Sequence, residues 1–485
     1  MVAREPGTLK EVRFSMNAKA ILIGLLLVAT AGMAVLVTPA GRAATLINGQ
    51  LVQETGPTTA LGGGDHVFVR FGSDAAFGVV YGTSANPNNI YIVAIKARYL
   101  AVAQVKDEQG RSYAENRPIK IYTLYAVKLD SLVEFKDSNG NGIANYARVY
   151  NSTTDRFSDY INRADTLYKK VDLNTSWTAG SIVQSNGTAY RSWTFNLSAQ
   201  NLPYAAIANY TGSVTGTLPL VRFTFHLNAS LTQVDNATVP QWQVTVGQIG
   251  GRIVVTNISR LNDLIVSGKA LHYDLKWDQD IEGWTYAAQN NPAASRRILL
   301  ELGVVVGNLI PAAIVDAWFE SRVLARMGET GTAQFTTATG TESANDTTGT
   351  YLLARRLQSP YVDFGGNWTR IGRLLWMSDS VVDGGSVPVY GQIVAGVRFA
   401  AIGEGGKAFI GFALLAGLSF LGGASIVHDP TVTTDVQADL QLPGATGPFG
   451  GLFVAAIGAV VIIAIVLLVV AIAIRRKKKG SPPPP

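Results

Sequence analysis

The stretch VEFKDSNGNGIANY, residues 133–146, places oxygen-bearing side chains at the spacing of a calcium loop. Such a loop takes oxygen ligands from its positions 1, 3, 5, 7 and 9 and needs glycine at position 6 for a sharp turn. Gly142 stands at the sixth position. The five ligand positions are occupied by Asp137, Asn139, Asn141, Ile143 through its carbonyl group, and Asn145. The pattern predicts a Ca²⁺ ion with a structural role.

The calcium prediction has a competing interpretation, because the loop holds a single carboxylate. Position 12, where calcium loops carry a bidentate glutamate, is Arg148. A site here would need an acid from elsewhere, such as Asp130 or Glu134. The loop resembles the short Asp/Asn-Gly calcium loops of extracellular adhesion and surface proteins. Asn-Gly is also the favoured pair of a hairpin turn, so a plain β-turn explains the same residues.

The carboxylates best placed for catalysis lie in one stretch, WDQDIEGW, residues 277–284. Asp278, Asp280 and Glu282 stand between two tryptophans, and glycosidases combine a pair of carboxylates with aromatic surfaces for sugars. Carboxylates two residues apart in one loop are more typical of cation binding, turn capping or simple exposure to water. A surface glycan hydrolase is therefore the alternative, and we expect a protein without enzymatic activity.

Composition restricts the remaining chemistry. The chain has no cysteine, which excludes thiol catalysis, zinc–thiolate sites and iron–sulfur clusters. Its four histidines are not paired at metal-ligand spacing, and no Gly-X-Ser-X-Gly nucleophile motif is present. Calcium is thus the one cofactor that the sequence suggests.

The motif Asn-X-Ser/Thr, with X other than proline, accepts Asn-linked glycans when it is exposed on an exported protein. It occurs at Asn151, Asn174, Asn186, Asn196, Asn209, Asn228, Asn236, Asn257, Asn345 and Asn367. Around Asn196, a strand would bury Trp193, Phe195 and Leu197 on one face and expose the asparagine on the other. The residues before Asn228 alternate in the same way. We therefore predict a glycoprotein.

The elements that carry these residues are short strands with a period of two. Residues 119–129 and 221–227 alternate in this way, and turn clusters rich in Gly and Asn, such as residues 138–142, separate the runs. This pattern is typical of antiparallel β-sandwiches. The predicted class is mainly β, with a short helical segment at 292–327 where Pro292 suits a first helical turn. A signal helix and a C-terminal transmembrane helix complete the prediction.

The two ends of the chain predict export and anchoring. Residues 20–37 form an uncharged apolar run that follows basic residues, and small residues lead to Ala43, which is the order of a cleaved signal peptide. An uncleaved anchor and translation from Met16 are the alternatives. Residues 452–474 are uncharged and long enough to cross a bilayer, and five basic residues at 475–479 favour the cytoplasmic side. The expected protein is single-pass, with an extracellular body and a cytoplasmic C-terminus.

The sequence thus predicts a linear series of segments. They are a signal peptide (1–43), an extracellular β-sandwich region (44–290), a helical segment (291–327), a Gly/Thr-rich loop (328–350), a second β-rich region packing on the first (351–438), a linker (439–451), a transmembrane helix (452–474) and a cytoplasmic tail (475–485).

The overall net charge of +6 comes from the ends. Residues 1–43 hold five basic and two acidic residues, and residues 475–479 hold five basic ones, which leaves the body with 30 basic and 32 acidic residues. The body therefore offers no basic footprint for nucleic acid.

Residues 409–427, FIGFALLAGLSFLGGASIV, form a second uncharged stretch with the length of a membrane span. If it crossed the bilayer, the anchor at 452–474 would run outward and place the basic tail outside, against the charge rule. We expect a buried β-hairpin with residues 393–399 instead. A fusion-type segment that enters bilayers is the alternative, and it would make the chain a membrane-remodelling protein.

In general plan, the ten glycosylation motifs and residues 452–479 make the chain resemble archaeal cell-surface glycoproteins with a C-terminal anchor, of the S-layer or adhesive kind. The resemblance covers the whole chain loosely and transfers no binding site. It implies a structural, adhesive or binding role in the cell envelope. The implied partners are the lipid bilayer and other envelope proteins or surface glycans.

Overall fold

The structure is a computed structural model. It describes residues 51–58, 64–71, 75–102, 105–106, 112–114, 117–147, 150–151, 156–157, 160–187, 190–207, 210–239, 242–249, 252–260, 264–310, 333–337, 340–343, 354–364, 372–402 and 408–433.

Nearly all regular structure in these residues is β. The first strands are β1 (Leu51–Thr58), β2 (Gly64–Phe71), β3 (Ala75–Tyr81), β4 (Ile90–Val102), β5 (Val105–Lys106), β6 (Ser112–Ala114), β7 (Arg117–Lys136), β8 (Tyr146–Ala147), β9 (Tyr150–Asn151), β10 (Arg156–Phe157), β11 (Ile161–Asn162), β12 (Thr166–Asp172), β13 (Thr178–Ala179), β14 (Val183–Asn186), β15 (Tyr190–Ala206) and β16 (Thr217–Val239). The remaining strands are β17 (Trp242–Ile249), β18 (Arg252–Arg260), β19 (Leu264–Glu282), β20 (Arg296–Ile310), β21 (Ala333–Thr337), β22 (Gly340–Ser343), β23 (Arg355–Arg356), β24 (Tyr361–Phe364), β25 (Gly372–Trp376), β26 (Asp379–Val382), β27 (Gly385–Pro388), β28 (Tyr390–Ile402), β29 (Ala408–Leu421), β30 (Ser425–His428) and β31 (Pro430–Thr433).

Alternation of apolar and polar residues explains most of these strands. In β16, Val221, Phe223 and Phe225 are buried, whereas Arg222 and Thr224 between them are half exposed. Successive side chains of a strand point to opposite faces, so one face of β16 packs inward and the other meets solvent. The prediction of a mainly antiparallel β protein is confirmed.

Most of the strands form two large sheets, and three separate two-stranded sheets consist of β5 with β6, β8 with β11 and β9 with β10. The first has the neighbour order β1, β2, β3, β4, β7, β20, β29, β28, β23, with β12 also paired to β7. The second runs β14, β15, β16, β19, β31, β25, β24, β21, β22, and β30 links β19 to β26 and β27. Among the described pairs only β17 with β4 is parallel.

The two sheets face each other across one apolar core, which gives the fold its sandwich form. Phe77 of the first sheet stacks on Tyr273 of the second with ring centroids 4.3 Å apart. The long strand β15 joins the sheets, because its end at Tyr204 pairs with β12 of the first sheet while its earlier part pairs with β16. The segments predicted as a second β-rich region contribute to both sheets, since β28 and β29 lie in the first and β30 and β31 in the second.

The helical segment predicted at 291–327 is wrong where the structure describes it. After one 3₁₀ turn at Ala293–Ser295, residues 296–310 form β20, hydrogen-bonded to β7 on one side and to β29 on the other. Leu299 and Leu300 point to opposite faces and both are buried. A central strand that is buried on both faces has no alternation of polar and apolar residues. Its continuous apolar run cannot be distinguished from a buried helix by periodicity alone. Residues 311–327 lie outside the described residues.

Two further predictions meet the structure in this region. The Gly/Thr-rich loop predicted at 328–350 contains a hairpin of β21 and β22, consistent with the strand preference of threonine. Residues 409–427 form β29 and most of β30, and the expected hairpin with residues 393–399 is present as β28 paired with β29. Leu414, Leu418 and Phe420 are buried, so in this fold the segment reaches a bilayer only by leaving the sheet.

A smaller apolar cluster lies on the other face of the first sheet, against the connection between β7 and β12. It consists of Val133, Phe135, Ala144, Tyr146, Tyr160, Leu167, Ile207, Leu299 and Val394. Glu301 is buried beside it and accepts hydrogen bonds from the hydroxyl groups of Ser131 (2.7 Å), Tyr146 (2.6 Å) and Tyr160. These bonds attach the connection that carries the calcium-like loop to the centre of the sheet.

Candidate functional site

The calcium-like loop follows β7 directly and is a series of turns closed by side chains. The carboxylate of Asp137 accepts hydrogen bonds from the backbone N–H groups of Asn141 (3.1 Å) and Gly142 (2.8 Å). The side-chain oxygen of Asn139 accepts from Asn141 (3.1 Å), and that of Asn141 accepts from Ile143 (3.0 Å). Such bonds from Asp and Asn side chains to nearby N–H groups are what stabilise tight turns. The side-chain oxygens of Asp137, Asn139 and Asn141 are therefore engaged in closing the loop.

The loop is closed by Asp165, a carboxylate that the sequence did not assign to it. Asp165 lies just before β12, is buried, and accepts from the backbone N–H groups of Ser138 (2.7 Å) and Asn145 (2.7 Å). The side-chain amide of Asn145 also donates to Asp165 (2.8 Å) and to the carbonyl of Ile143 (3.3 Å). No local spacing could have linked Asp165 to this loop, because the intervening chain leaves the sheet and returns.

The two acids that the sequence offered as extra calcium ligands are engaged elsewhere. Asp130 pairs with Lys128, and the buried carboxylate of Glu134 accepts a hydrogen bond from the indole of Trp284 (2.9 Å). In the described part of the chain, no group of three or more His, Cys, Asp or Glu is arranged to hold a metal ion. A structural calcium ion at the loop stays a prediction, with Asp165 as the second carboxylate.

Two guanidinium groups approach the same loop. The Nε atom of Arg297 lies 3.0 Å from Oδ2 of Asp137, and both side chains are largely buried. Arg356 donates to the carbonyl of Asn141 (3.0 Å). Both guanidinium groups lie against the ring of Tyr390, at 5.0 Å and 4.0 Å from its centroid. Arg297 already neutralises the charge of Asp137, which lowers the need of this loop for a metal cation.

The acidic stretch at residues 277–284 lies mainly on a strand, which corrects its assignment to a loop. β19 extends to Glu282, and Asp278, Asp280 and Glu282 lie along its outward face because alternate residues face the core. Trp277 and Trp284 are both buried. Neither indole is therefore available as a flat surface for a sugar.

Charged neighbours divide the three carboxylates into two groups. Asp278 lies 2.9 Å from Nε2 of His226 and 3.1 Å from Nζ of Lys276. Partial burial raises the pKa of Asp278, but the hydrogen bonds from His226 and Lys276 outweigh it and hold that pKa below its usual value. Partial burial and the adjacent Glu282 instead raise the pKa of Asp280. Arg222 lies 3.3 Å from Oδ2 of Asp280 and opposes this rise of its pKa. Both aspartates therefore have a basic partner, and Asp280 in addition faces a second acid.

The structure adds a line of hydroxyl, imidazole and carboxylate across three strands, which the sequence did not reveal. Thr194 Oγ1 lies 3.3 Å from Nδ1 of His226, whose Nε2 faces Asp278. This is the order of groups in a nucleophilic triad, which also needs free N–H donors for an oxyanion. Here the backbone of β15 and β16 is engaged in strand pairing, and the acceptor motifs at Asn196 and Asn228 flank the line. The arrangement is suited to fastening strands and not to catalysis.

The structure places half of the predicted glycosylation motifs on exposed side chains. These are Asn174, Asn186, Asn196, Asn228 and Asn236. Asn151 and Asn257 lie in β9 and β18, and their side chains are not described. Asn209, Asn345 and Asn367 lie outside the described residues. Attachment of glycans at all ten positions stays a prediction.

The predicted signal peptide at 1–43, the linker at 439–451, the transmembrane helix at 452–474 and the tail at 475–485 lie outside the described residues. Among the residues that the structure does describe, no helix is long and apolar enough to span a membrane.

The fold and its surface define a large antiparallel β-sandwich protein with an engaged Asp/Asn loop and a polar outer sheet face. No protein-family model matches the chain. No curated protein is significantly similar to it.

Proposed function

We propose that this chain is a membrane-anchored, Asn-glycosylated cell-surface protein, with its body outside the cell and its C-terminus in the cytoplasm. Its role in this proposal is structural, adhesive or otherwise binding, within the cell envelope. The observation that carries the proposal is the exposure of the five acceptor asparagines whose side chains are described, next to strand residues that are buried. Exposed acceptors are what an exported glycoprotein requires.

One property of the body and one of the C-terminal region fit an extracellular location of the body. The sandwich buries an extensive apolar core and contains no cysteine, so it does not depend on the disulfides that stabilise small exported domains. The five basic residues at 475–479 follow directly on the uncharged run at 452–474. That order supports a single span with the tail inside.

The two alternatives receive less support from the described residues. A glycan hydrolase would use Asp278, Asp280 or Glu282, but the flanking tryptophans are buried and the carboxylates line an open strand face. A membrane-remodelling protein would use residues 409–427, which contribute a central strand of the first sheet. We therefore favour a non-catalytic role.

The glycosylation part of the proposal is tested at Asn196 without changing the asparagine. Ser198→Ala removes the motif, and Ser192→Ala is the matched control, because Ser192 lies on the same half-exposed face of β15 outside any motif. The tryptic peptide 192–222 of the native-host protein also contains the motif at Asn209, so its fragmentation must assign the glycan to a residue. We expect Asn196 to lose its glycan in the first variant and to keep it in the second. Bare asparagines at every motif in wild-type material would contradict the proposal.

The topology part is tested on intact cells. Protease added outside should digest the body and leave a membrane-protected fragment that contains residues 475–485. An antibody against this tail should bind only after the cells are permeabilised. A body that resists protease until the cells are broken would contradict the proposed orientation.

A further inference from the structure

A buried carboxylate connects a lysine and an asparagine inside the fold. Glu134 of β7 is 0 % exposed and accepts hydrogen bonds from the indole of Trp284 (2.9 Å) and the backbone N–H of Ala287 (2.9 Å). The side-chain amide of Asn290 donates to Oε1 of Glu134 (3.0 Å). The Nζ atom of Lys169 lies 3.7 Å from Oε2 of the same carboxylate. An amine and a carboxamide therefore meet at one acid that solvent does not reach.

The surroundings of Lys169 favour its uncharged form. Lys169 is 5 % exposed, its Nζ donates to the carbonyl of Thr285, and it lies 3.5 Å from the centroid of the Tyr204 ring. Burial lowers the pKa of Lys169, although the nearby Glu134 opposes the shift. A lysine with a lowered pKa is a nucleophile, because the free amine carries the lone pair.

The carboxamide of Asn290 is the matching electrophile. Asn290 is 0 % exposed, and its amide nitrogen is held by Glu134 and by the carbonyl of Phe135 (3.3 Å). Its Oδ1 atom has no hydrogen-bond partner among the described residues. A buried polar atom without a partner is uncommon in native structures and calls for a specific explanation.

We propose that Lys169 and Asn290 form an intramolecular amide bond between their side chains, with Glu134 carrying the proton. The proposal concerns the body itself and does not depend on the cell-surface role. It assigns the buried lysine, acid and amide to a covalent modification of the folded chain. No cofactor or oxidant is needed.

The reaction balances within the three side chains. The ammonium of Lys169 passes one proton to Glu134, and the freed lone pair of Nζ forms a bond to Cγ of Asn290. The Cγ–Nδ2 bond then breaks, and the leaving nitrogen takes its own two hydrogens and one from Nζ. Glu134 returns its proton to this nitrogen, so one ammonium ion leaves and the carboxylate is regenerated. The chain loses the neutral mass of one ammonia.

The bond would join parts of the fold that are distant in sequence. Lys169 stands on β12, directly opposite Glu134 of β7, whereas Asn290 lies in the connection between β19 and β20. The link would thus join β12 of the first sheet to the connection that follows β19 of the second sheet. A chain without cysteine has no disulfide for this purpose.

Peptide mass spectrometry of the full chain gives a direct test. Neither tryptic peptide of interest, 164–170 or 277–296, contains a glycosylation motif, so glycans do not interfere. We expect the wild-type protein to yield these two peptides joined, lighter than their sum by one ammonia, with no cleavage after Lys169. Recovery of only separate, unmodified peptides from folded wild-type protein would overturn the proposal.

Matched variants separate the chemistry from general effects on folding. Lys169→Arg and Asn290→Ala should abolish the joined peptide, whereas Lys170→Arg and Asn291→Ala, at the adjacent and more exposed positions, should retain it. Glu134→Gln should reduce the joined fraction at least tenfold in protein that is still folded. A joined peptide in Lys169→Arg, or wild-type yield in Glu134→Gln, would refute the assigned roles.

Discussion

Replacement of Arg297 by methionine tests whether this arginine supplies the positive charge of the calcium-like loop. Methionine retains an apolar stem and removes the guanidinium group. The side chains of Arg297 and Asp137 are 11% and 4% exposed, and their atoms Nε and Oδ2 are 3.0 Å apart. Loss of one partner of a buried ion pair costs roughly 3–5 kcal/mol, because the other charge stays buried. Asp137 keeps two backbone hydrogen bonds, so we expect the lower end, about 3 kcal/mol.

Urea unfolding of the full chain, followed by tryptophan fluorescence, measures this loss. Arg373→Met is the matched control, since Arg373 pairs with Asp363 but the two side chains are 31% and 20% exposed. An ion pair in contact with water contributes less than a buried one, and a fully exposed pair about 1 kcal/mol or less, so Arg373→Met should lose less stability than Arg297→Met. A loss for Arg297→Met no greater than that of the control would refute the assignment of Arg297 as the cation of the loop.

The same variant shows how the loop relates to calcium. Without Arg297, Asp137 loses its ion-pair partner beside a second carboxylate, Asp165. Ca²⁺ at about 1 mM, the range of extracellular calcium modules, should therefore raise the melting temperature of the variant more than that of the wild type. Mg²⁺ at equal concentration is the control for ionic strength. Equal responses of variant and wild type to Ca²⁺ would show that arginine and metal do not compete.

Three further predictions concern stability. Gly142→Ala should destabilise the fold more than Gly140→Ala, because both glycines have positive φ (+84° and +71°) but only at Gly142 would a Cβ lie 2.2 Å from an aromatic ring; thermal unfolding compares them. Burial lowers the pKa of His428 below its value in the unfolded chain, so the stability that His428 contributes is present above about pH 6.5 and is lost as the pH falls. In urea unfolding between about pH 6.5 and 4.5, His428→Gln should therefore reduce the dependence of the unfolding free energy on pH. Glu301→Gln should cost about 1–3 kcal/mol in the same assay, because its amide group would face hydroxyl donors placed for a carboxylate.

Strands could be predicted from the sequence wherever one of their two faces is exposed to solvent. β16 shows this, since its buried and half-exposed residues alternate in the sequence as they do in the sheet. β20 shows the limit, because a strand between two others, buried on both faces, has no alternation to detect. The partners of each strand could not be predicted either, since β20 pairs with β7 and β29 across separations of about a hundred residues or more.

The candidate sites were predictable only where they are local. The spacing from Asp137 to Asn145 identified the loop, but Asp165 and Arg297 reach it from other elements and left no local pattern. The cluster at Glu134 was missed for the same reason, because Lys169 and Asn290 meet only after the sheets have formed. Side chains that are opposite each other across strands depend on register, which a single sequence does not specify.

The placement of the last described strands has a consequence for biogenesis. β31 is hydrogen-bonded to β19 on one side and to β25 on the other, and β29 lies between β20 and β28. Until residue 433 is available for pairing, β19 and β25 retain unpaired backbone that invites association with other chains. Completion of both sheets must therefore wait until residues up to 433 have been synthesised, and a nascent chain that stalls earlier would be a target for chaperones and not a smaller working protein.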